Sequence, residues 1–381
     1  MCSVLRNLRN HSLTNYFEVI RGGIHTSFQD EGFNNVQHLG ITTGGVIDNH
    51  LFQLANKLLA NDLSSPVIEF ANQGPLLELK KGRCRFAITG NVAFNIISKN
   101  LITQGIPNRT YHLYEGDKLD ILTTIKSNYG YFTVEGGFNL QKEYGCFSTL
   151  TQSKIGANEG NKIFKNQKIN FNNNLSESNT KIKMDFKTNN IIRIVRGPQM
   201  NYFMLKTIKK FFEKNFYVSK TTNRMGVRLE GNITKAIKSH NIASEGIIKG
   251  SIQIPGNGDP IVLMNDHPTI GGYPKIAIVI LSDLAKLAQL PVGTNFNFLE
   301  VSISEVLWDS ANGVKVAWNL TLQSGNTRLL IAEIGFLQDG VEEVRADIEL
   351  LMEPGRRVFE HEIGEYWGQG AVFIKIKTIG W

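Results

Sequence analysis

The stretch SIQIPGNGDPIVLMNDHPTIGGYPKIAIVIL, residues 251–281, consists of short apolar runs separated by glycine, proline and aspartate. Such runs, bounded by turn-forming residues, are typical of β-strands. The same rhythm recurs in CRFAITG, KLDIL, GYFTVEGG and NFNFLEVSI. Helical periodicity is confined to NHLFQLANKLLAND, GPQMNYFMLKTIKKFFEKNF and LSDLAKLAQL. The pattern predicts a mainly β protein with a few helices, built from closed or sandwiched sheets.

The composition of the 381 residues is typical of a globular protein, with 41% hydrophobic and 9% aromatic residues. No run approaches the roughly 18 apolar residues that a membrane span needs, so we expect no membrane partner. The net charge is +7, but the excess is lysine scattered among asparagines, as in KIFKNQKINFNNNL. This is not an arginine stripe with interleaved aromatics, so nucleic-acid binding is not predicted. The spacing of the three cysteines fits neither a metal site nor a disulfide framework, which predicts no metal centre and a cytoplasmic location.

Changes in composition along the chain predict its domain organisation. Residues 1–15 are basic and form an extension, residues 16–120 form a first lobe, and residues 121–305 form a second lobe. The second lobe includes a loop near 151–190 that is rich in asparagine and lysine. Residues 306–381 alternate in period two and carry 7 Lys and Arg against 11 Asp and Glu. They are expected to form a separate antiparallel β module of unknown role.

Two similar turns contain a threonine followed by a glycine pair, namely TTGG at 42–45 and TIGG at 269–272. Glycine pairs permit positive φ and close backbone approach, so the turns can be purely structural. If both turns line one cleft, their N–H groups can instead hold a carboxylate, a phosphate or a developing oxyanion. The candidate ligand-binding residues in these turns are Thr43, Gly44, Gly45, Thr269, Gly271, Gly272 and Tyr273, although Tyr273 with Pro274 can simply shape its turn.

Two aspartates are candidate catalytic residues. Asp48 precedes a helix whose apolar stripe comprises Leu51, Leu54, Leu58 and Leu59, so it can cap that helix or act in catalysis. Asp266 follows a strand and precedes a turn, so turn capping competes with general acid–base work. The neighbouring His267 is expected to be a solvated loop histidine.

Two arginines lie in VSKTTNRMGVRLEG, residues 218–231. Arg224 and Arg228 are expected to form a structural ion pair with Glu230. The alternative is that they bind a carboxylate or a phosphate, because the planar guanidinium pairs well with such groups.

Three polar blocks together carry a resemblance to a known family. They are SFQDEGFNNVQHLGITTGGVIDNHLFQLANKLLAND, VSKTTNRMGVRLEG and SEGIIKGSIQIPGNGDPIVLMNDHPTIGGYPKIAIVILSDLAKLAQLPVG. The chain resembles the allophanate hydrolase subunit 2 family, also called the A and B part of the carboxyltransferase domain, from about Tyr16 to Ile303. The resemblance implies a pair of cyclophilin-like β-barrels and a separately encoded or fused partner subunit. One departure is at Gly145–Thr149, which reads GCFST where the family tends to read Gly-Ser-Arg-Ser-Thr.

The resemblance implies a first choice of function, the C subunit of an ATP-dependent 5-oxoprolinase that opens the lactam of 5-oxoproline to glutamate. ATP with Mg²⁺ would then be required, and the partners would be an allophanate hydrolase subunit 1-like protein and a lactam-utilisation protein. The sequence has no G-x-x-x-x-G-K-[ST] phosphate loop, so ATP is expected in a cleft shared with a partner.

Two alternative functions stay open at this point. One is the carboxyltransferase half of a biotin-dependent urea or amide carboxylase, with biotin carried by another protein, since the chain lacks the Met-Lys-Met of a biotin carrier. The other is a non-catalytic regulator that binds a kinase inhibitor.

Overall fold

The computed structural model describes residues 15–172, 178–182, 190–231 and 239–302, together with the backbone of four strands between residues 316 and 380. The predicted N-terminal extension, apart from its last residue, and parts of the asparagine-rich loop lie outside the described residues. The described part is mainly β with three α-helices, which confirms the predicted fold class.

Two antiparallel sheets form the first lobe. Its strands are β1 (Asn15–Arg21), β2 (His25–Gln29), β3 (Val67–Ala71), β4 (Leu76–Lys81), β5 (Arg83–Thr89), β6 (Val92–Ser98), β7 (Leu101–Gln104), β8 (Arg109–Tyr114), β9 (Lys118–Thr124), β10 (Tyr129–Val134), β11 (Thr149–Leu150), β12 (Ile155–Gly156) and β13 (Lys168–Phe171). One sheet has the order β13-β1-β4-β9-β6-β7 and the other β2-β3-β10-β5-β8, and β11 pairs separately with β12. Phe17 of the first sheet meets Phe132 of the second edge to face, with ring centroids 6.0 Å apart. The core of the lobe therefore lies between the two sheets.

Helix α1 (Asn49–Leu58) packs its leucine face into the first lobe. The four leucines of the predicted stripe, Leu51, Leu54, Leu58 and Leu59, are all buried. Asp48 begins the helix, because its side chain accepts a hydrogen bond of 3.1 Å from the backbone N–H of Leu51. The predicted helix and its cap are confirmed.

The second lobe is a closed seven-stranded barrel. Its strands and helices are β14 (Ile191–Arg196), α2 (Leu205–Glu213), β15 (Asn215–Val218), β16 (Gly226–Glu230), β17 (Glu245–Gly246), β18 (Ser251–Gln253), β19 (Ile261–Leu263), β20 (Ile270–Gly271), β21 (Lys275–Val279), α3 (Leu281–Gln289) and β22 (Asn295–Glu300). The barrel has the order β14-β21-β18-β19-β16-β15-β22, and β17 pairs separately with β20. Phe211, Phe216 and Phe296 surround Phe298 with ring centroids 5.1 to 5.2 Å away, and all four rings belong to the buried core of this lobe.

The boundary between the lobes lies further along the chain than predicted. Strand β10 sits between β3 and β5, and β13 pairs with β1, so both belong to the first lobe. The second lobe begins with β14 at Ile191, rather than after residue 120. The chain passes from β13 to β14 within the stretch near 151–190 that is rich in asparagine and lysine, so a change in composition does lie at this boundary.

Residues beyond 306 contain two antiparallel hairpins. Strand β23 (Val316–Leu322) pairs with β24 (Arg328–Ile334), and β25 (Arg357–Trp367) pairs with β26 (Gly370–Gly380). Antiparallel pairing is what the period-two pattern of this segment predicts. That the segment is a separable module stays a prediction. In the described part of the chain, no helix is long and apolar enough to cross a membrane.

Candidate functional site

The Arg224 guanidinium lies where the two lobes meet. Its Nε and Nη2 donate to the two carboxylate oxygens of Asp266 at 2.9 and 2.8 Å, and Nη2 also donates to the Gly45 carbonyl at 2.7 Å. Its Nη1 forms an ion pair with Glu69 of β3. Burial lowers the pKa of Arg224, but the charges of Asp266 and Glu69 outweigh burial and raise it above its ordinary value. The side chain is therefore a permanent cation shared by two carboxylates.

Glu69 is the first-lobe partner of this cation and is only 2% exposed. One oxygen pairs with Arg224, and the other accepts from the Ile47 N–H at 2.7 Å and from the Tyr131 hydroxyl at 2.9 Å. Burial raises the pKa of Glu69, and these three donors oppose the shift. The carboxylate is thus held from three sides in one orientation.

Asp48 is tied to both lobes. One of its oxygens accepts the capping bond from Leu51, and the other accepts a bond of 3.0 Å from the Gln289 side chain at the end of α3. Its backbone N–H donates to the Tyr131 hydroxyl at 2.8 Å. Both carboxylate oxygens therefore hold secondary structure, which supports the capping interpretation, while a catalytic role stays a prediction.

The first glycine turn is bound by Asn265 of the second lobe. The Asn265 carbonyl accepts from the Gly44 N–H at 3.0 Å and from the Thr42 hydroxyl at 3.1 Å, and its side-chain amide donates to the Gly44 and Val46 carbonyls at 3.0 and 2.8 Å. The hydroxyl of Thr43 lies 3.4 Å from the same Asn265 carbonyl. Because the Gly44 N–H already has an acceptor, this turn serves as a joint between the lobes.

The conformation of the first turn requires glycine. Gly44 and Gly45 have φ values of 56° and 79°, in the left-handed region. A β-carbon at Gly45 would lie 2.9 Å from the Glu31 carbonyl oxygen, so a side chain would also clash. The glycine pair is explained by geometry.

The second glycine turn contacts a different segment. Gly271 pairs with Glu245 in the β17–β20 ladder, the Ile247 N–H donates to the Thr269 carbonyl at 3.1 Å, and the Ile242 N–H donates to the Gly272 carbonyl at 2.8 Å. Tyr273 is 39% exposed. Among the hydrogen bonds of the described residues, none joins this turn to the first one. One cleft lined by both glycine pairs therefore stays a prediction.

The two arginines of the second sequence block have separate surroundings. Arg224 pairs with Glu69 and Asp266, so the expected pairing with Glu230 is wrong for this residue. Arg228 lies on the outer face of β16 and is exposed, as is Glu230. The structure therefore separates Arg228 from the buried charges around Arg224.

His267 is buried, so the expectation of a solvated loop histidine is wrong. The residue is 5% exposed, and its Nδ1 lies 2.5 Å from the Pro268 carbonyl. A carbonyl only accepts, so Nδ1 carries the proton. Burial lowers the pKa of His267 and outweighs the opposing effect of the bond to Pro268.

The segment that departs from the family pattern is anchored to the first lobe. The Ser148 hydroxyl donates to one oxygen of Asp30 at 2.5 Å, and the Phe147 N–H donates to the other at 2.7 Å. Cys146 is buried, and burial raises the pKa of its thiol to about 12. The thiol is therefore protonated near neutral pH, and the described contacts of this segment are structural.

The described residues include no group of three or more His, Cys, Asp or Glu side chains that could hold a metal ion. The cation at the centre of the site is the guanidinium of Arg224. What this arrangement can do is fix the loop after β19 against the first lobe in one orientation.

Comparison with known proteins places this geometry in a family. The family model described as carboxyltransferase domain, subdomain A and B, matches residues 39–300. The C subunit of the Escherichia coli 5-oxoprolinase is 30% identical over 293 residues, covering 76% of this chain and 93% of that protein. The chain belongs to the carboxyltransferase domain family.

Two further similar proteins are named urea amidolyase and urea carboxylase. The urea amidolyase of Saccharomyces cerevisiae is 25% identical over 379 residues, covering 91% of this chain and 20% of that protein. The crystal structure of the Kluyveromyces lactis urea carboxylase superposes with a TM-score of 0.70 at 22% identity, covering 86% of this chain. The match spans 33% of that structure's chain, and at this identity it shows a shared fold alone.

The structure also reveals site residues that the sequence did not indicate. Glu69 was detectable in principle, because it is the one charge in the buried strand VIEFA. Asn265 and Gln289 carry no such signal, since single amides in a loop and at a helix end are common. Their roles depend on contacts across more than 200 residues of sequence.

Replacing His267 tests its burial through the pH dependence of stability. Because the folded pKa of His267 is lowered from 6.5, the unfolded chain binds the proton more readily, so stability is lost as pH falls below about 6.5. The His267→Asn variant should lose less free energy of unfolding than the wild type between pH 7 and pH 5, as measured by urea unfolding. The exposed His38 provides the control, and His38→Asn should follow the wild type. Identical pH profiles for His267→Asn and wild type would contradict a buried neutral His267.

Proposed function

We propose that the chain is the C subunit of an ATP-dependent 5-oxoprolinase, which opens the lactam of 5-oxoproline to glutamate together with a partner subunit. The observation that carries the proposal is the match to the C subunit of the Escherichia coli enzyme, which spans 93% of that protein at 30% identity. The same name belongs to a relative in Haemophilus influenzae, matched over 89% of its length. Because both proteins are matched over nearly their whole length, the comparisons support the proposal that this chain is the equivalent subunit.

The chemistry of the reaction requires activation of an unreactive carbonyl. A lactam carbonyl is a poor electrophile, and ATP supplies a phosphoryl group that turns its oxygen into a leaving group. The phosphorylated intermediate must be protected from premature hydrolysis and held by oriented hydrogen-bond donors. The fixed loop after β19, held by Arg224 and Asp266, supports a role in presenting such donors at a boundary between lobes.

One donor of the first glycine turn is already used. The N–H of Gly44 donates to the Asn265 carbonyl, so it is not free to bind a phosphate. We therefore place ATP and its Mg²⁺ in a cleft completed by the partner subunits, an allophanate hydrolase subunit 1-like protein and a lactam-utilisation protein. A cytoplasmic location forms part of the same proposal.

A second candidate function is the carboxyltransferase half of a biotin-dependent urea carboxylase, with biotin carried by another protein. One observation favours it. The alignment with the Saccharomyces cerevisiae urea amidolyase covers 91% of this chain, more than the first 305 of its 381 residues can supply. Part of the segment beyond residue 305 is therefore matched in that protein, whereas the match to the Escherichia coli 5-oxoprolinase protein covers 76% of the chain.

Reconstitution with the partners distinguishes the two functions. The chain should co-purify with the subunit 1-like partner, and the complex with the lactam-utilisation protein should hydrolyse ATP faster when 5-oxoproline is present. Product glutamate should form in step with ADP. ATP hydrolysis indifferent to 5-oxoproline, together with urea carboxylation when a biotin carrier and a biotin carboxylase are added, would instead establish the carboxyltransferase.

The Asp266→Asn variant tests whether this residue is a base or a positioning residue. Both oxygens of Asp266 are engaged by Arg224, so we expect a positioning role. The free energy of unfolding should fall by about 1–3 kcal/mol, because a charged hydrogen-bonded partner is lost from a largely buried group. Turnover of the reconstituted complex should stay within about tenfold of wild type. Asp62→Asn, at an exposed aspartate of the first lobe, changes only exposed contacts with Ser64 and should leave turnover unchanged.

The opposite result would assign Asp266 a catalytic role. A variant of normal stability whose turnover falls on the order of a hundredfold would identify a general base. Thermal melts and steady-state rates on one preparation separate the two outcomes.

A further inference from the structure

A buried lysine lies beneath the second glycine turn. Lys275 of β21 is 4% exposed, and its ammonium pairs with the Glu245 carboxylate of β17. The Gln199 amide donates to the same Glu245 oxygen at 2.8 Å, and its own carbonyl oxygen accepts from the Lys275 backbone N–H at 3.2 Å. We call Lys275, Glu245, Gln199 and the neighbouring Gln253 the Lys275 cluster. None of these four residues contributes to the contacts around Arg224.

Gln253 has a donor that no described residue satisfies. It lies directly opposite Lys275 in the β18–β21 register, where the ladder is irregular between Ile252 and Gln253. Gln253 is 5% exposed, and its amide nitrogen has no hydrogen-bond partner among the described residues. The hydroxyl of Ser251, two residues earlier on the same strand, is also buried without a hydrogen-bond partner among the described residues. A buried donor without an acceptor is costly, so its retention needs an explanation.

The second glycine turn covers this donor. A β-carbon on Gly271 would lie 2.6 Å from the Gln253 amide nitrogen and 2.9 Å from Ile247, so glycine permits the close approach of β20. Glu245 pairs with Gly271 in the same two-stranded ladder. The carboxylate that neutralises Lys275 is therefore carried by the covering strands, whereas Lys275 and Gln253 belong to the barrel.

The exposure of the ion pair differs between its partners. The Lys275 side chain is 5% exposed and that of Glu245 is 22% exposed. A carboxylate can thus reach the ammonium from the solvent side, on the path that the Glu245 side chain occupies. The barrel strands supply the cation of Lys275 and the amide of Gln253, and the loop after β14 supplies the amide of Gln199; these groups suit a small anion with an adjacent carbonyl.

We propose that the Lys275 cluster is a binding site for a small carboxylate that carries a neighbouring amide or lactam carbonyl, and that Glu245 occupies the carboxylate position in the absence of ligand. Lys275 and Gln199 bind the ligand's carboxylate after it displaces Glu245, and Gln253 donates to the ligand's carbonyl. 5-Oxoproline has both groups, whereas urea has no carboxylate. The inference rests on the proposed function only for this choice of ligand.

Replacing Glu245 tests the displacement directly. If Glu245 competes with the ligand, Glu245→Gln in the full chain should bind 5-oxoproline at least tenfold more tightly than wild type, as measured by calorimetry at pH 7. 2-Pyrrolidinone, a lactam without a carboxylate, should show no gain. If Glu245 only anchors β17 to the barrel, the variant is less stable and gains no affinity, which would overturn the proposal.

The matched control breaks another buried ion pair. Arg85 and Glu135 pair at 2.8 Å within the first lobe, with side chains 2% and 9% exposed. Glu135→Gln should show no gain in affinity for 5-oxoproline. An equal gain in this control would overturn the proposal, because the effect would then follow from general loosening of the fold.

The Gln253→Met variant tests the carbonyl contact even where Glu245→Gln does not fold. It removes a donor without a partner, so it should be at least as stable as wild type. It should bind 5-oxoproline at least tenfold more weakly. Unchanged affinity, or no detectable binding of 5-oxoproline by any of these proteins, would contradict the proposal.

Failure of this site and failure of the proposed function give different results. The reconstituted complex could show no 5-oxoproline-dependent ATP hydrolysis while Glu245→Gln binds 5-oxoproline more tightly. That result would contradict the proposed function and support the binding site. Active turnover, with the affinity for 5-oxoproline unchanged in both Glu245→Gln and Gln253→Met, would support the proposed function and contradict the binding site.

Discussion

The ion pair between Arg224 and Glu69 joins the second lobe to the first, and the arrangement of the site depends on it. A buried charge is costly unless it is paired and its donors are satisfied. Arg224 meets this condition with Glu69 on one side, Asp266 on the other and the Gly45 carbonyl between them. A lysine has no planar fork, so it could not bind both Asp266 oxygens and reach Glu69 at once.

Neutral hydrogen bonds surround this charge and extend the joint. The Asn265 side-chain amide donates to the Gly44 carbonyl of the first glycine turn, and the Gln289 side-chain amide donates to the Asp48 carboxylate. The Asn128 side chain donates to the Ala288 and Leu290 carbonyls at the end of α3, at 2.8 and 2.7 Å. These contacts explain why the first turn serves to connect lobes. The second turn instead covers the Gln253 amide nitrogen, which has no hydrogen-bond partner among the described residues.

Local features were predictable from the sequence because their causes are local. Helix α1 follows from the spacing of four leucines and from Asp48 immediately before it. Alternating apolar residues predicted the strands, and the family resemblance predicted barrel-like lobes. The lobe boundary was misplaced, because β10 returns to the sheet of β3 and the change in composition comes later, in the asparagine-rich stretch before β14.

The partners of the site residues were not predictable for the opposite reason. Arg224 finds Glu69 across 155 residues of sequence, and a charge pattern within one strand pointed to Glu230 instead. His267 is polar and follows a strand, which is typical of exposed loops, yet packing around the loop buries it. Pairing between side chains of different lobes is a tertiary property, and the hydrophobic periodicity of the sequence does not predict it.

A double-mutant cycle on Arg224 and Glu69 tests the central claim most directly. Urea unfolding of the full chain would be measured for wild type, Arg224→Met, Glu69→Gln and the double variant. We expect Arg224→Met alone to cost about 3–5 kcal/mol, because it leaves buried carboxylates unpaired. In the Glu69→Gln background the cost should be smaller by at least about 1.5 kcal/mol. Costs that add to within about 0.5 kcal/mol would show that the two residues do not act as a pair, and would contradict the account.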